Sequence, residues 1–116
     1  MARRPRICIA GYPHHIVQRG HNRRSVFFGS ADFEYYLANL IKFKSQYDVA
    51  VYAWCLMTNH VHLVLCPRTE GSAISALMRR VAARQSRYVN RTMGRSGTLW
   101  EGRFKCSVCL LYTSDA

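Results

Sequence analysis

Apolar residues recur with two different periods along the chain, and these periods predict its secondary structure. The first period is helical, because apolar side chains three and four positions apart share one face of a helix. It predicts a helix from about Ala31 to Tyr47, with Ser30 as its N-cap, and a second helix that begins at Gly71-Ser72. The inward stripe of the second helix is formed by Ile74, Leu77, Met78, Val81, Gln85 and Tyr88.

The second period is that of β-strands, in runs rich in β-branched and aromatic residues between turn-formers. The predicted strand segments are 7–19, which Gly11 and Pro13 interrupt, 49–56, 60–67 and 99–108. Residues 26–28 fit either a short strand or a loop anchor. The order strand, helix, strand, strand, helix, strand predicts an α+β fold. It is the ferredoxin-like antiparallel sheet (βαββαβ) with two helices on one face.

Two histidines stand one residue apart in the third predicted strand. Successive side chains of a strand point to opposite faces, so His60 and His62 share a face and Val61 takes the other. Two imidazoles on one rigid strand could bind a divalent metal ion, although a pair at this spacing is weak evidence when taken alone. The pattern does not determine whether the pair lies beneath the helices or on the open face.

Charge is strongly unbalanced in this chain of 116 residues. Lys and Arg number 17 against 6 Asp and Glu, which gives a net charge of +11 and favours a polyanionic partner, most commonly nucleic acid. Four arginines form a row at steps of four, three and four on the second helix, without an acidic residue between Glu70 and Glu101 to balance them. The row could be a solvated surface, but we favour a phosphate-facing helix. The candidate DNA-binding residues are Arg19, Arg23, Arg24, Arg80, Arg84, Arg87, Arg91, Arg103 and Lys105.

The composition also predicts a compartment. No apolar run approaches the roughly 18 residues of a membrane span, and no signal-peptide hydrophobic region follows the basic N-terminus. Five cysteines, an odd number lying mostly among apolar neighbours, are explained better as buried free thiols than as disulfides. We therefore expect a soluble, cytoplasmic protein without a membrane partner.

Three stretches together resemble one family. They are residues 11–20 (GYPHHIVQRG), 56–64 (LMTNHVHLV) and 97–105 (GTLWEGRFK). They are similar to the REP-associated tyrosine transposases, relatives of the small insertion-sequence transposases of the HUH class, over about Arg3 to Val108. The resemblance implies the ferredoxin-like fold, and it implies that His60 and His62 are the two histidines of the HUH motif.

The resemblance also implies a chemistry. It is DNA transposition by metal-dependent cleavage and joining of single-stranded DNA beside hairpins of repeated palindromes. A tyrosine hydroxyl attacks a phosphodiester and becomes joined to the 5′ phosphate. Mg²⁺ or Mn²⁺ would be the cofactor, with imidazole better suited to Mn²⁺, and single-stranded or hairpin DNA the partner. Whether the chain acts as a monomer or a homodimer stays open.

The sequence departs from the family pattern at its C-terminal end. In the family the nucleophile lies in a Tyr-Ile-x-x-Asn stretch after the last motif, and no such stretch occurs here. Residues 109–116 look like a translated library adapter, which leaves Tyr112 without a role. We therefore expect an incomplete transposase domain over residues 1–108, a nucleophile beyond the chain end and no activity of this fragment alone. Tyr88 is a disfavoured substitute, because its stripe faces the core.

Two rival functions remain at this stage. The sheet could be a non-catalytic nucleic-acid-binding module like an RNA-recognition domain, on which Tyr52, Trp54 and Phe104 stack bases. A stacking platform has no use for a histidine pair, so the pair discriminates between the two. A metal-dependent hydrolase that uses water lacks a carboxylate base near the motif. We expect the other histidines, His14, His15 and His21, to be DNA-facing or structural, without a ligand role.

Overall fold

A four-stranded antiparallel sheet, covered on one face by two helices, is the frame of this computed structural model, which describes residues 7–110. The elements are β1 (His14–Arg19), α1 (Ser30–Gln46), β2 (Val49–Met57), β3 (His60–Pro67), α2 (Ala73–Thr92) and β4 (Lys105–Val108), with a 3₁₀ turn at His21–Arg23. The spatial order of the strands is β2-β3-β1-β4, the order of the ferredoxin-like fold, and the predicted fold class is confirmed.

Strict alternation in the two central strands assigns the faces of the sheet. Ile16 of β1 lies opposite Leu63 of β3, and both are buried beneath the helices together with Val61 and Leu65. The residues between them therefore point to the other face, which no helix covers among the described residues. We call this the open face.

The core lies between the sheet and the two helices. Tyr36, Leu40 and Phe43 of α1 and Leu77 and Val81 of α2 are almost completely buried. Burial of each such side chain stabilises the fold by about 1.5–3 kcal/mol, so the helical stripes account for the docking of both helices. Residues 26–28 form no strand; Val26 and Phe27 are buried and anchor the loop before α1, one of the two outcomes expected.

Two predicted strands are shorter than expected. The first begins only at His14, because Gly11 turns the preceding segment and donates its N–H to the Pro67 carbonyl. The last begins only at Lys105, because Trp100 makes a single bridge with Gly20 and the chain then turns.

The start of the first helix also differs from the prediction. Ser30 lies in the first turn of α1 and the N-cap is Gly29, which makes no side-chain capping bond. The Asp32 carboxylate instead accepts a hydrogen bond from the Phe28 N–H at 2.7 Å. An acidic residue of the first turn thus holds the segment before the helix, at the end where the helix dipole favours a negative charge.

The described cysteines are all free thiols, as expected, but they are not all buried. Only Cys66 is buried and Cys55 is exposed, because Cys55 lies on the edge strand β2. Neither α1 nor α2 combines the length and apolar character that a membrane span requires.

Candidate metal and nucleic-acid site

The histidine pair lies on the open face. His60 and His62 are both half-buried, and their rings meet nearly edge to face, with centroids 4.9 Å apart and planes at 75°. The buried neighbours Val61 and Leu63 fix this outcome, because they must point beneath the helices. The structure thus resolves which face carries the pair.

A third histidine joins the pair. His15 Nε2 lies 3.1 Å from His62 Nδ1, and the two rings are nearly parallel, at 8° with centroids 5.3 Å apart, so they meet edge to edge through these nitrogens. This contact gives His15 a structural position beside the motif, one of the two roles expected for it, and the expectation that it is not a ligand stays a prediction. Because Ile16 is buried, His15 points to the face opposite the core.

The other two histidines stay away from the pair. His14 is buried, and its Nε2 accepts a hydrogen bond from the Ile9 N–H at 3.0 Å, which is a structural role. His21 is exposed in the 3₁₀ turn.

The polar residue before the motif also contacts it. Asn59 Oδ1 lies 2.7 Å from His60 Nδ1, while Asn59 Nδ2 donates to the Arg23 carbonyl at 3.4 Å. The tight turn between β2 and β3 therefore orients the His60 ring.

Electrostatics at His62 favour the neutral imidazole. Partial burial lowers the pKa of His62, and the nearby charges of His60, His15 and Arg19 lower it further. A neutral ring has a lone pair on one nitrogen, which a metal ligand requires.

Cationic side chains flank the pair on β1 and β4. Arg19 lies opposite His60 in the strand register, and Val17 lies opposite both His62 and Lys105. Arg19, Arg103 and Lys105 line one shallow depression with Val17 and Glu101. Three of the predicted DNA-binding residues thus lie together, and one of them, Arg19, lies opposite His60.

Two more of these arginines lie at the same end of the sheet. Arg23 ends the 3₁₀ turn and Arg24 follows it, and both are exposed. Gly20, just before the turn, donates its N–H to the Asn59 carbonyl at 2.8 Å. A side chain on Gly20 would overlap the Arg24 carbonyl oxygen, so glycine is required for this close approach.

The arginine row of α2 lies elsewhere. Arg80 and Arg84 stack over the Phe43 ring, 4.6 and 5.3 Å from its centroid, and Arg84 Nε donates to Asn39 at 2.9 Å. Arg87 and Arg91, further along the row, are exposed. The row therefore belongs to the helix layer, and the sheet separates it from the histidines.

Tyr88 is also on the helix layer. Its ring stacks on Tyr35 with centroids 4.2 Å apart, and a hydrogen bond to Asp32 is the main cause that raises its pKa. The structure does not bring this hydroxyl to His60 or His62.

The tyrosines of the sheet are also distant from the pair. Tyr52 interacts with the Cys66 side chain, and Cys66 is about 13 Å along β3 from His62 at a rise of about 3.3 Å per residue. Tyr12 follows Gly11 at the Pro67 end of β3, roughly 23 Å from His60 by the same rise. Tyr112 lies outside the described residues, as do the N-terminal arginines up to Arg6.

The base-stacking platform is not formed. Trp54 pairs with Leu63, whose side chain points beneath the helices, while Tyr52 lies at a bulge on the edge strand and Phe104 is buried. The three aromatic residues therefore do not share the open face, and the prediction of a common platform is wrong.

The histidines fit a divalent cation as two ligands of a partial set. Each Nδ1 is engaged in a hydrogen bond within the protein, so the Nε2 atoms are the nitrogens left for a metal. In the described part of the chain, no group of three His, Cys, Asp or Glu side chains is arranged to hold a metal ion.

Comparisons with known proteins agree with this geometry. The model of the family described as "Transposase IS200 like" matches residues 8–113. The chain belongs to the IS200-like transposase family. This match confirms the relationship predicted from the three motifs, and it continues into the segment predicted to be an adapter, whose origin stays a prediction.

Two solved structures share the fold of this IS200-like chain. A REP-associated tyrosine transposase, solved bound to a REP hairpin, has a TM-score of 0.74 at 20% identity, and the match covers 97% of this chain and 64% of that one. A candidate transposase from Deinococcus radiodurans R1 has a TM-score of 0.65 at 18% identity, with 98% and 88% covered. No curated protein gives a significant match. The chain spans less than two thirds of the REP-associated protein, and at these identities the likeness shows the fold alone.

Proposed function

We propose that this chain is the DNA-binding and metal-binding part of a transposase that cleaves and joins single-stranded DNA through a tyrosine nucleophile. The observation that carries the proposal is the placement of His60 and His62 side by side on the open face, next to Arg19. Family membership supports the same reaction.

The cation would lie at the histidine Nε2 atoms. A bound Mg²⁺ or Mn²⁺ would polarise a phosphate oxygen and neutralise charge that develops on it. Arg19 and Lys105, which line one depression, would hold the adjacent phosphates, and Arg103 would extend this positive surface. Exposed Arg23 and Arg24 would contact the strand where it passes the turn between β2 and β3.

The α2 row would bind DNA from the other side of the molecule. Arg80, Arg84, Arg87 and Arg91 present guanidinium groups along one helix face, and such groups supply affinity that depends on salt rather than on sequence. The REP hairpin in the structure of the REP-associated protein supports hairpin or single-stranded DNA as the partner.

The nucleophile is proposed to come from outside residues 7–110. Tyr88 is held against Tyr35 on the helix layer, and Tyr52 and Tyr12 are far from the pair along the sheet. The chain alone is therefore expected to bind Mn²⁺ and DNA without cleaving DNA.

Metal titration tests the site. Calorimetry should detect Mn²⁺ binding to the unchanged chain and none to the double variant His60→Ala, His62→Ala. His21→Ala, which removes an exposed histidine outside the pair, is the matched control and should bind normally. Unchanged Mn²⁺ binding by the double variant would rule out the site.

DNA assays test the rest of the proposal. The double variant should keep its salt-dependent affinity for labelled hairpin DNA, because arginines supply it. Incubation with Mn²⁺ and DNA should give no covalent protein–DNA adduct. An adduct that Tyr88→Phe abolishes would contradict the assignment of the nucleophile.

A further inference from the structure

The hydrogen bond between Asn59 and His60 fixes which ring nitrogen is free. Asn59 Nδ2 donates to the Arg23 carbonyl, so its Oδ1 is the atom that lies 2.7 Å from His60 Nδ1. An amide oxygen only accepts, and the neutral His60 ring must therefore carry its proton on Nδ1. The lone pair of His60 is left on Nε2.

The contact between His15 and His62 admits two proton arrangements. If His15 Nε2 donates, His62 Nδ1 accepts and the proton of His62 lies on Nε2, where it prevents metal binding. If His62 Nδ1 donates, His15 Nε2 accepts and His62 Nε2 has the lone pair. The partner of His62 on β1 thus decides whether His62 can be a ligand.

Resting on the proposed function, we infer that His15 is a positioning residue for the metal centre, whose Nε2 accepts the Nδ1 proton of His62 and leaves His62 Nε2 free for the cation. Histidine ligands almost always donate their other ring N–H to an acceptor, and loss of that acceptor lowers metal affinity about 10- to 100-fold. Asn59 is such an acceptor for His60 on the neighbouring ring.

The nearly coplanar alignment of the two rings supports this role, because each ring nitrogen points at the other in the ring plane. His15 and His62 lie on adjacent strands, with planes only 8° apart, so the imidazole of His15 restrains the His62 ring as well as its proton. His15 Nε2 faces the Nδ1 of His62 and is thereby committed to that bond. His15 therefore acts through His62 and is not itself a ligand.

Two substitutions of His15 separate an acceptor from a space-filling role. His15→Leu replaces the imidazole with an apolar side chain of similar bulk that cannot accept a hydrogen bond, and it should lower Mn²⁺ affinity about 10- to 100-fold. His15→Gln supplies an amide oxygen in place of the ring nitrogen, which can accept from His62, and should keep most of the affinity. His21→Leu, the same change at an exposed histidine, should have no effect. Equal Mn²⁺ affinity of the His15→Leu variant and the unchanged chain would overturn the inference.

A measurement without metal separates this inference from the proposed function. The ¹⁵N chemical shifts of His62 report its tautomer in the metal-free chain, where we expect the Nδ1–H form, with a shift towards the Nε2–H form in His15→Leu. Retention of the Nδ1–H form in that variant would overturn the positioning role whatever the metal titration gives. Failure of the unchanged chain to bind Mn²⁺ would contradict the proposed function, and the ¹⁵N spectrum would still decide the proton position.

Discussion

The arginine row of α2 allows a quantitative prediction of DNA affinity. Arg87 and Arg91 are both exposed and belong to the helix layer, so replacement of both by Gln removes two positive charges without opening the core. Gln has nearly the helix propensity of Arg, so we expect α2 to persist. Any loss of DNA affinity would then come from phosphate contacts.

Counterion release gives the size of the effect. Each phosphate contact adds about 0.9 to the slope of log K against log salt for duplex DNA and about 0.7 for single strands. Two lost contacts lower the slope by up to about 1.8 on a hairpin stem. Counterion release contributes nothing to the affinity extrapolated to about 1 M salt. At about 0.1 M salt, one decade lower, a slope change of about 1.8 therefore lowers the affinity roughly 60-fold.

Fluorescence anisotropy with a labelled hairpin between about 50 and 200 mM salt measures the slope directly. Arg68→Gln is the matched control, because Arg68 is exposed, pairs with Asp48 at 3.7 Å and is not part of the row. Mn²⁺ affinity should not change in the double variant, since the sheet separates the row from the histidines. A slope equal to that of the control would refute the phosphate-facing role of α2.

Three further predictions concern stability and ionisation. Gly20→Ala should lower the free energy of unfolding by several kcal/mol in urea titrations, because the added Cβ would meet a backbone oxygen. Gly29→Ala is the control: its Cβ would point into open space, and the change should lower the free energy of unfolding by about 1 kcal/mol at most. Tyr36→Phe should leave stability unchanged or raise it, because the buried hydroxyl has no hydrogen-bond partner among the described residues; a loss above about 1 kcal/mol would contradict this. NMR titration should place the pKa of Tyr88 above its usual value and return it towards that value in Asp32→Asn. Because the raised pKa favours the neutral phenol, its contribution to stability is present below the ordinary tyrosine pKa and is lost at higher pH.

The fold was predictable because its signals are local and repeated. Alternation in β3 and the helical stripes follow from the burial of one face, and together they define the element order. The positions of Val61 and Leu63 could also have placed His60 and His62 on the open face, once both helices were assigned to the other side.

The parts that were missed depend on contacts between distant segments. His15 reaches His62 only through the pairing of β1 with β3, a register that single-strand patterns do not contain. The bulge at Tyr52 shifts the faces of β2 and turns Trp54 away from the open face, and an irregularity of this kind has no clear sequence signal.

The start of α1 was missed for a related reason. Serine is a common N-cap, but here the loop that Val26 and Phe27 anchor positions Gly29 at the cap and Asp32 under the Phe28 N–H. Tertiary anchoring thus overrides the local preference of Ser30.

Pulsed electron paramagnetic resonance of Mn²⁺ bound to the ¹⁵N-histidine-labelled chain tests the central claim most directly. The proposed site predicts couplings from two imidazole nitrogens, one of which is lost in His60→Ala and the other in His62→Ala. A spectrum without histidine couplings, or one that both substitutions leave unchanged, would contradict the assignment of the pair as metal ligands.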